Sequence, residues 1–409
     1  MRMSEKSEEK EKRERQFIEN GSKLLEKLIV SCNGKPIPIR SFFAKELRQA
    51  TNNYNNHYGM LWFKGSLDGQ IVIVRRFPGS KIWADLAIND LVISAQMSAH
   101  SNVLKPMGCC LETSTPILVY ACATNGFLSD RIYVSHVTKR QHQPMVWESR
   151  LKIARQIAHA ISYLHTAFQR PVIHMGIHMT NILLDEHDVP KLSEFCKSVS
   201  IPDGETDVEA DGNCLYSKFK TPEIKATGKA TEKTDVYYFG KLLLELLTGE
   251  DSYNITRLTI DKDSTLLAYI RNRAQGSCIN EIVDPAILAE DGEGGASLEH
   301  QLQAVVYLAL TCTEEDPQTR PTMVDVTKQL RRIERFIPSL IIYSLDFIQS
   351  YFIDKQIHII AYPNVLGMTT NKIYSLDFQT KWTWMEFRRV KKADLMESHL
   401  MTLLNPHCY

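Results

Sequence analysis

The chain has 409 residues, enough for two or three domains and a large buried core. Its 44% hydrophobic and 23% charged residues are those of an ordinary globular protein. Lys+Arg and Asp+Glu both number 48, so no net field points to nucleic acid or to an anionic membrane surface. The nine cysteines follow no metal-site spacing, and Cys109 and Cys110 are simply adjacent. With no secretory signal at the start, reduced cytosolic thiols are expected. No stretch reads as a transmembrane helix: the most apolar region, 336–362, is interrupted by Asp346, Asp354 and Lys355. The Met-Arg-Met start lacks the second-position glycine that N-myristoylation needs.

Residues 1–15 are almost all Glu, Lys and Arg, a solvated lead into a helix or a disordered tail. A helical pattern follows, with Leu24, Leu25, Leu28 and Ile29 as its apolar positions. DGQIVIVRRF at 68–77 reads as a turn and a β-branched strand of a hairpin, and TPILVYACATNG at 115–126 as a second strand running into a turn. Between them, 84–100 is the most helix-like stretch. The first part is therefore a small strand-rich lobe with one helix.

From about Met145 the pattern turns helical. Leu151, Ala154, Ala158 and Ile161 make one stripe, widened by Ile157 and Leu164, which predicts a buried helix over 147–165. Residues 233–249 are apolar almost all round and stop at Gly249, as a helix through the lobe centre would. Two more helices are expected around Pro317 and Pro321. Near the end, IYSLDF occurs at 342–347 and again at 373–378, two copies being too few for a solenoid.

Within PVIHMGIHMTNILLDE at 171–186, the run HMGIHMTN resembles the protein kinase catalytic loop, H-R-D-x-K-x-x-N, in which Asp accepts the substrate hydroxyl proton and Asn holds a metal ion. His174 and Asn181 keep their places, but Met175, Gly176 and His178 stand for Arg, Asp and Lys. ELRQATNNY at 46–54, HSNVLKPMGCCLE at 100–112, the helix at 147–165, TPE at 221–223, DVYYFG at 235–240 and Arg320-Pro321 fall in kinase order. Together they resemble a plant receptor-like kinase domain. ENGSKLLEKLIVS and PIPIRSFFAKELRQATNNY narrow this to the ZRK-type pseudokinases, cytoplasmic relatives of wall-associated kinases.

The resemblance implies an α+β, two-lobed protein kinase-like fold. It divides the chain into a charged tail and helix at 1–43, a pseudokinase domain at 44–335 and a C-terminal extension of unassigned fold at 336–409. The small lobe would run to about 121 and the large lobe from about 122. No catalytic residue is expected, because the base position is Gly176, which has no side chain. The positions that would meet a nucleotide are Arg75, for the phosphate-pairing lysine, with Asp90 as its helix partner, and Ala121 and Ala123 in the hinge after Tyr120. Asn181 and Glu194 would complete them and are the only metal-ligand positions left. HYGMLWFKGSL keeps Gly59 and Gly65 at the wrong spacing for a phosphate loop, with bulky Trp62 and Phe63, and reads as an ordinary hairpin. Glu194-Phe195-Cys196 replaces Asp-Phe-Gly, with a longer carboxylate arm and a stiffer hinge.

Glu223 and Arg320 match a buried ion pair of the family, and Asp235 the anchor of the catalytic-loop backbone. The segment 193–223, with Ser198, Ser200, Thr206, Ser217 and Thr221, is expected to be exposed and mobile. His178 gains no evident role from its neighbours in sequence. No cofactor is expected to be required, with ATP and Mg²⁺ weak ligands at most. The function implied is that of a catalytically impaired adaptor in plant immune signalling. It would be cytoplasmic, bind a coiled-coil NLR receptor and other receptor-like cytoplasmic kinases, and reach the plasma membrane only through them. A weak serine/threonine kinase and a non-hydrolysing nucleotide switch are the alternatives.

Overall fold

The computed structural model describes residues 2–32, 37–133, 145–210, 220–252, 255, 265–273, 279–289 and 295–335. The extension at 336–409, with both IYSLDF copies, lies outside the described residues, as does Ser217. Met1–Arg335 forms one unit.

The small lobe is built on a six-stranded sheet. β1 (Arg40–Ser41), β2 (His57–Gly59), β3 (Trp62–Leu67), β4 (Gln70–Arg75), β5 (Pro106–Cys110) and β6 (Ile117–Ala121) lie in the order β1-β5-β6-β4-β3-β2. All neighbours are antiparallel except β1 and β5. Successive residues of a strand face opposite sides, and β4 uses this to serve two cores. Val72 and Val74 join Phe63, Leu67 and Val119 on one face, while Ile73 joins Trp62, Leu91, Leu118 and Tyr120 on the other. Arg75, in phase with Ile73, is delivered to the inner face.

Helix α1 (Arg2–Cys32) is continuous, so the charged run leads into the predicted helix as its first half, the first of the two readings left open for it. It docks on the small lobe through Asn20, whose amide donates to the carbonyls of Leu111 (3.0 Å) and Thr113 (2.9 Å), and through Lys23 to Asp85 (2.8 Å). α2 (Ala44–Ala50) covers one face of the sheet and α3 (Lys81–Gln96) the other.

The remaining helices are α4 (Leu128–Ile132), α5 (Trp147–Thr166), α6 (Pro222–Thr227), α7 (Glu232–Thr248), α8 (Leu266–Arg273), α9 (Ile279–Ile282), α10 (Pro285–Leu288), α11 (Gly295–Cys312) and α12 (Met323–Glu334). The predicted α5 stripe, Leu151 to Leu164, is wholly buried in the large-lobe core. α7 runs through that core and ends at Gly249, whose φ of 71° caps it. Gly240 lets α11 cross closely, since a Cβ there would lie 2.7 Å from Thr313 Cγ2 and 2.8 Å from Cys312 Cβ.

The two-lobed α+β architecture expected from the motifs is therefore the one observed. The loop after α3 joins the lobes: Leu104 N donates to Leu192 O (2.9 Å), and Leu192 N to Asn102 O (2.8 Å). Among the described residues, no helix is long and apolar enough to cross a membrane.

Candidate functional site

The loop 174–181 lies between two short strands, β7 (Val172–Ile173) and β8 (Ile182–Leu184). Asp235, in the first turn of α7 and fully buried, holds its backbone. The carboxylate accepts from His174 N (2.7 Å), Met175 N (3.0 Å) and His165 Nε2 (2.8 Å). This fixes Met175 at φ 67°, a left-handed conformation that a non-glycine residue adopts only under such constraint. His174 is a packed structural residue: its Nε2 donates to Ser193 O (3.1 Å) and its ring meets Phe195 edge-on at 4.9 Å. Burial, opposed by the Asp235 charge, lowers its pKa and keeps the imidazole neutral.

Gly176 presents only backbone, and Asn181 Nδ2 donates to its carbonyl at 2.6 Å. Ser193 N donates to Asn181 O (2.9 Å), which brings β9 (Pro190–Leu192) and Glu194 alongside. The Asn181 amide is thus turned to Gly176.

Arg75, Asp90 and Glu194 are brought together. The Arg75 guanidinium ion-pairs with the carboxylates of both Asp90 and Glu194. Arg75 is 4% exposed and Asp90 0%. Glu194 Oε1 also accepts from Trp62 Nε1 (3.2 Å), and Asp90 Oδ1 from Phe195 N (3.2 Å). The guanidinium lies 4.1 Å from the Phe77 ring centroid and 5.1 Å from that of Trp62. Burial, assisted by Glu194 and opposed by Arg75, pushes Asp90 up to about 6. Burial works against the Arg75 charge, yet Glu194 and Asp90 hold its pKa far above the ordinary value. Sequence reasoning reached the Arg75–Asp90 pair but missed that Glu194 closes it. Nothing local in sequence carries that contact, which spans 119 residues.

The cleft between the lobes is filled by side chains. Trp62 (4% exposed) leans on Tyr120 at 5.6 Å and on Phe127 at 6.2 Å, over Ala123 and Leu183. Tyr58 donates its hydroxyl to Ala123 O, accepts there from Gly126 N (2.9 Å) and stacks at 5.5 Å on Phe127. Ala121 N donates to Lys105 O (2.9 Å). A Cβ at Gly59 would lie 2.6 Å from Phe127 Cε2, so this glycine serves ring packing.

The segment after Glu194 corrects one expectation. Ser198 and Thr221, predicted to be exposed, are 3% and 0% exposed; Ser200 and Thr206 alone of the described four reach solvent. Three pieces of structure pull Ser198 inward. Its hydroxyl donates to His174 O (3.2 Å), Asn89 Nδ2 donates to the carbonyls of Phe195 (3.2 Å), Cys196 (3.0 Å) and Ser198 (2.8 Å), and β10 (Val199–Ser200) pairs with β7. β11 (Val208–Glu209) likewise pairs with β12 (Lys229–Ala230). Met175, where the family carries arginine, lies in an apolar cluster with Ile173, Ile201, Ile224 and Ala230. Further on, Arg320 grips Glu223 through both terminal guanidinium nitrogens, at 3.1 and 2.9 Å.

Residues 85–330 match the protein tyrosine and serine/threonine kinase family. The chain is 35% identical over 337 residues to the serine/threonine-protein kinase ZRK1 of Arabidopsis thaliana, covering 80% of this chain and 94% of that one. It is likewise 35% identical over 345 residues to the non-functional pseudokinase ZRK2, covering 81% and 94%. To the non-functional pseudokinase ZED1 it is 35% identical over 342 residues, covering 80% and 99%; both are Arabidopsis thaliana proteins. With its lobes, its Asp235 anchor and its Glu223–Arg320 pair in place, this chain belongs to the protein kinase family, among the ZRK-type kinases and pseudokinases.

Proposed function

We propose that the chain works as a catalytically silent kinase-like adaptor in plant immune signalling, with protein partners in place of a phosphorylated substrate. The observation that carries this reading is the Arg75–Asp90–Glu194 cluster. The two groups that would meet phosphate and metal neutralise each other under a lid of Trp62. Phosphoryl transfer depends on positioning and charge neutralisation, and general-base assistance alone is worth roughly 10²–10⁴ in rate. With glycine at the base position, this chain supplies neither.

The donor set does not fit a magnesium ion. Mg²⁺ requires near-octahedral oxygen ligands, whereas Glu194 faces a guanidinium and an indole N–H, and Asn181 Oδ1 receives the Thr180 hydroxyl (3.3 Å). The hinge carbonyl of Ala123 is taken by Tyr58. The groups that hold the fold, by contrast, are intact and fully paired, as a docking platform requires.

The partners we infer are a coiled-coil NLR receptor and receptor-like cytoplasmic kinases, and the setting is cytoplasmic. Co-purification with such a receptor tests the reading. The complex should form with ATP depleted, and association that requires ATP would overturn it.

A further inference from the structure

Among the described residues, one cluster of donor groups takes no part in the Arg75–Asp90–Glu194 site. A ring nitrogen of His178 and one carboxylate oxygen each of Glu245 and Asp251 lie within 4.8 Å of one another. His178 Nε2 is 3.8 Å from Glu245 Oε1. The three come from separate places. His178 belongs to the loop 174–181, Glu245 to the last turns of α7, and Asp251 to the chain just beyond that helix. The Glu245 side chain is 1% exposed, while that of His178 is 22% exposed, so the cluster opens to solvent on the histidine side.

Two of the three groups have outer partners that orient them. Thr180 meets His178 Nδ1 twice, through Oγ1 (2.9 Å), which can accept a proton from it, and through its backbone N–H (3.3 Å), which donates to it in the other tautomer; ligation through Nε2 selects the first. Tyr133 donates its hydroxyl to Glu245 Oε2 (2.8 Å), and Ser252 N donates to Oε1 (3.2 Å). Each oxygen keeps a further lone pair.

We propose that His178, Glu245 and Asp251 form a divalent transition-metal site, best suited to Zn²⁺, that ties the loop 174–181 to the end of α7. One imidazole and two carboxylates are zinc ligands. A tetrahedral ion with ligands at about 2.0–2.2 Å separates its donors by roughly 3.3 Å, so a small imidazole rotation closes the observed 3.8 Å. Three protein ligands leave a fourth position for water or for a group from a bound protein. The ion would add a second clamp to the loop that Asp235, ten residues earlier on the same helix, already holds by its backbone.

Lys241, one turn before Glu245 on α7, is the monovalent competitor. Burial lowers its pKa to about 8 against the upward pull of Glu245 and Asp251. A divalent ion must displace that ammonium from the carboxylates.

The test uses the untagged full chain, stripped of metal by chelation and titrated with Co²⁺ as a spectroscopic probe and with Zn²⁺ by competition. One equivalent should bind, with visible d–d absorption. His178→Ala and Asp251→Asn should each weaken binding, by about a hundredfold or more, since even outer-partner changes cost 10–100-fold. Lys241→Met should tighten it. Failure to bind either ion at millimolar concentration overturns the proposal. So does an affinity indifferent to all three substitutions, or a near-ultraviolet thiolate charge-transfer band, which would place the ion on cysteine.

Discussion

Replacing Arg75 with methionine removes the cation shared by the buried Asp90 and the half-buried Glu194 carboxylates and keeps most of the aliphatic packing. Breaking a buried ion pair by deleting one partner costs about 3–5 kcal/mol. Loss of the face contacts with Phe77 and Trp62 adds about 0.5–2 kcal/mol. Because the Glu194 side chain is 18% exposed and can gain water, the lower half of that range is the better guide for its share. A total of about 4–6 kcal/mol results, against a net stability of roughly 5–15 kcal/mol for a domain.

Urea denaturation followed by tryptophan fluorescence reads this directly, because Trp62 lies on the cluster. The penalty should also depend on pH. A carboxyl whose folded pKa is raised loses stability as pH climbs through that pKa, since the folded state prefers the proton. Asp90 already sits at about 6 with Arg75 opposing the rise. Without Arg75 the rise is larger, so the variant should be worst above pH 6 and recover part of its loss toward pH 4. Asp90→Asn with Glu194→Gln should rescue it at neutral pH. An Arg75→Met protein within 1 kcal/mol of wild type would refute the argument and return Arg75 to the role of a waiting phosphate ligand.

Gly176→Asp restores the missing base at a position where a Cβ meets nothing closer than Asn181 Nδ2 at 3.6 Å. The variant should fold normally and still show no phosphotransfer above background in a radiolabel assay. Met175→Arg puts an unpaired charge among Ile173, Ile201 and Ile224, at a cost of about 3 kcal/mol or more. Hydrogen exchange over 199–210 should rise, with little change in α5. His100 accepts from Asn102 N (3.1 Å) and donates to His159 Nδ1 (2.9 Å); burial and then His159 lower its pKa to about 4. Its neutral form therefore stabilises the fold above pH 6.5, and that contribution is lost as pH falls toward 4. His100→Gln should flatten this part of a urea-midpoint profile.

Much of the fold was legible because its signals are local. The α5 stripe and the Gly249 stop are read within one helix, and the β-branched run of β4 within one strand. Kinase motifs fixed their order, and with it Asp235, Glu223 and Arg320. The contents of the cleft were not legible. Trp62 and Phe63 looked bulky for a phosphate loop. That Trp62 turns to Glu194 while Phe63 turns to the core on the opposite face of the sheet follows only from strand phase and from a contact 132 residues away. Asn89, which grips three carbonyls after Glu194, carries no local signal of that role. Ser198 and Thr221 looked exposed because serine and threonine favour loops, whereas strand pairing and the Asn89 fork draw one inward and the start of α6 buries the other. His178 had no visible partner until α7 brought Glu245 beside it.

On this reading the inter-lobe cleft is structural and does not receive a nucleotide. Calorimetric titration of the full chain with ATP, with and without Mg²⁺ or Mn²⁺, addresses it most directly. No saturable heat and no change in melting temperature are expected at millimolar nucleotide. Saturable, metal-dependent binding would contradict it, because Trp62 would have to leave the cleft and Glu194 would have to release Arg75.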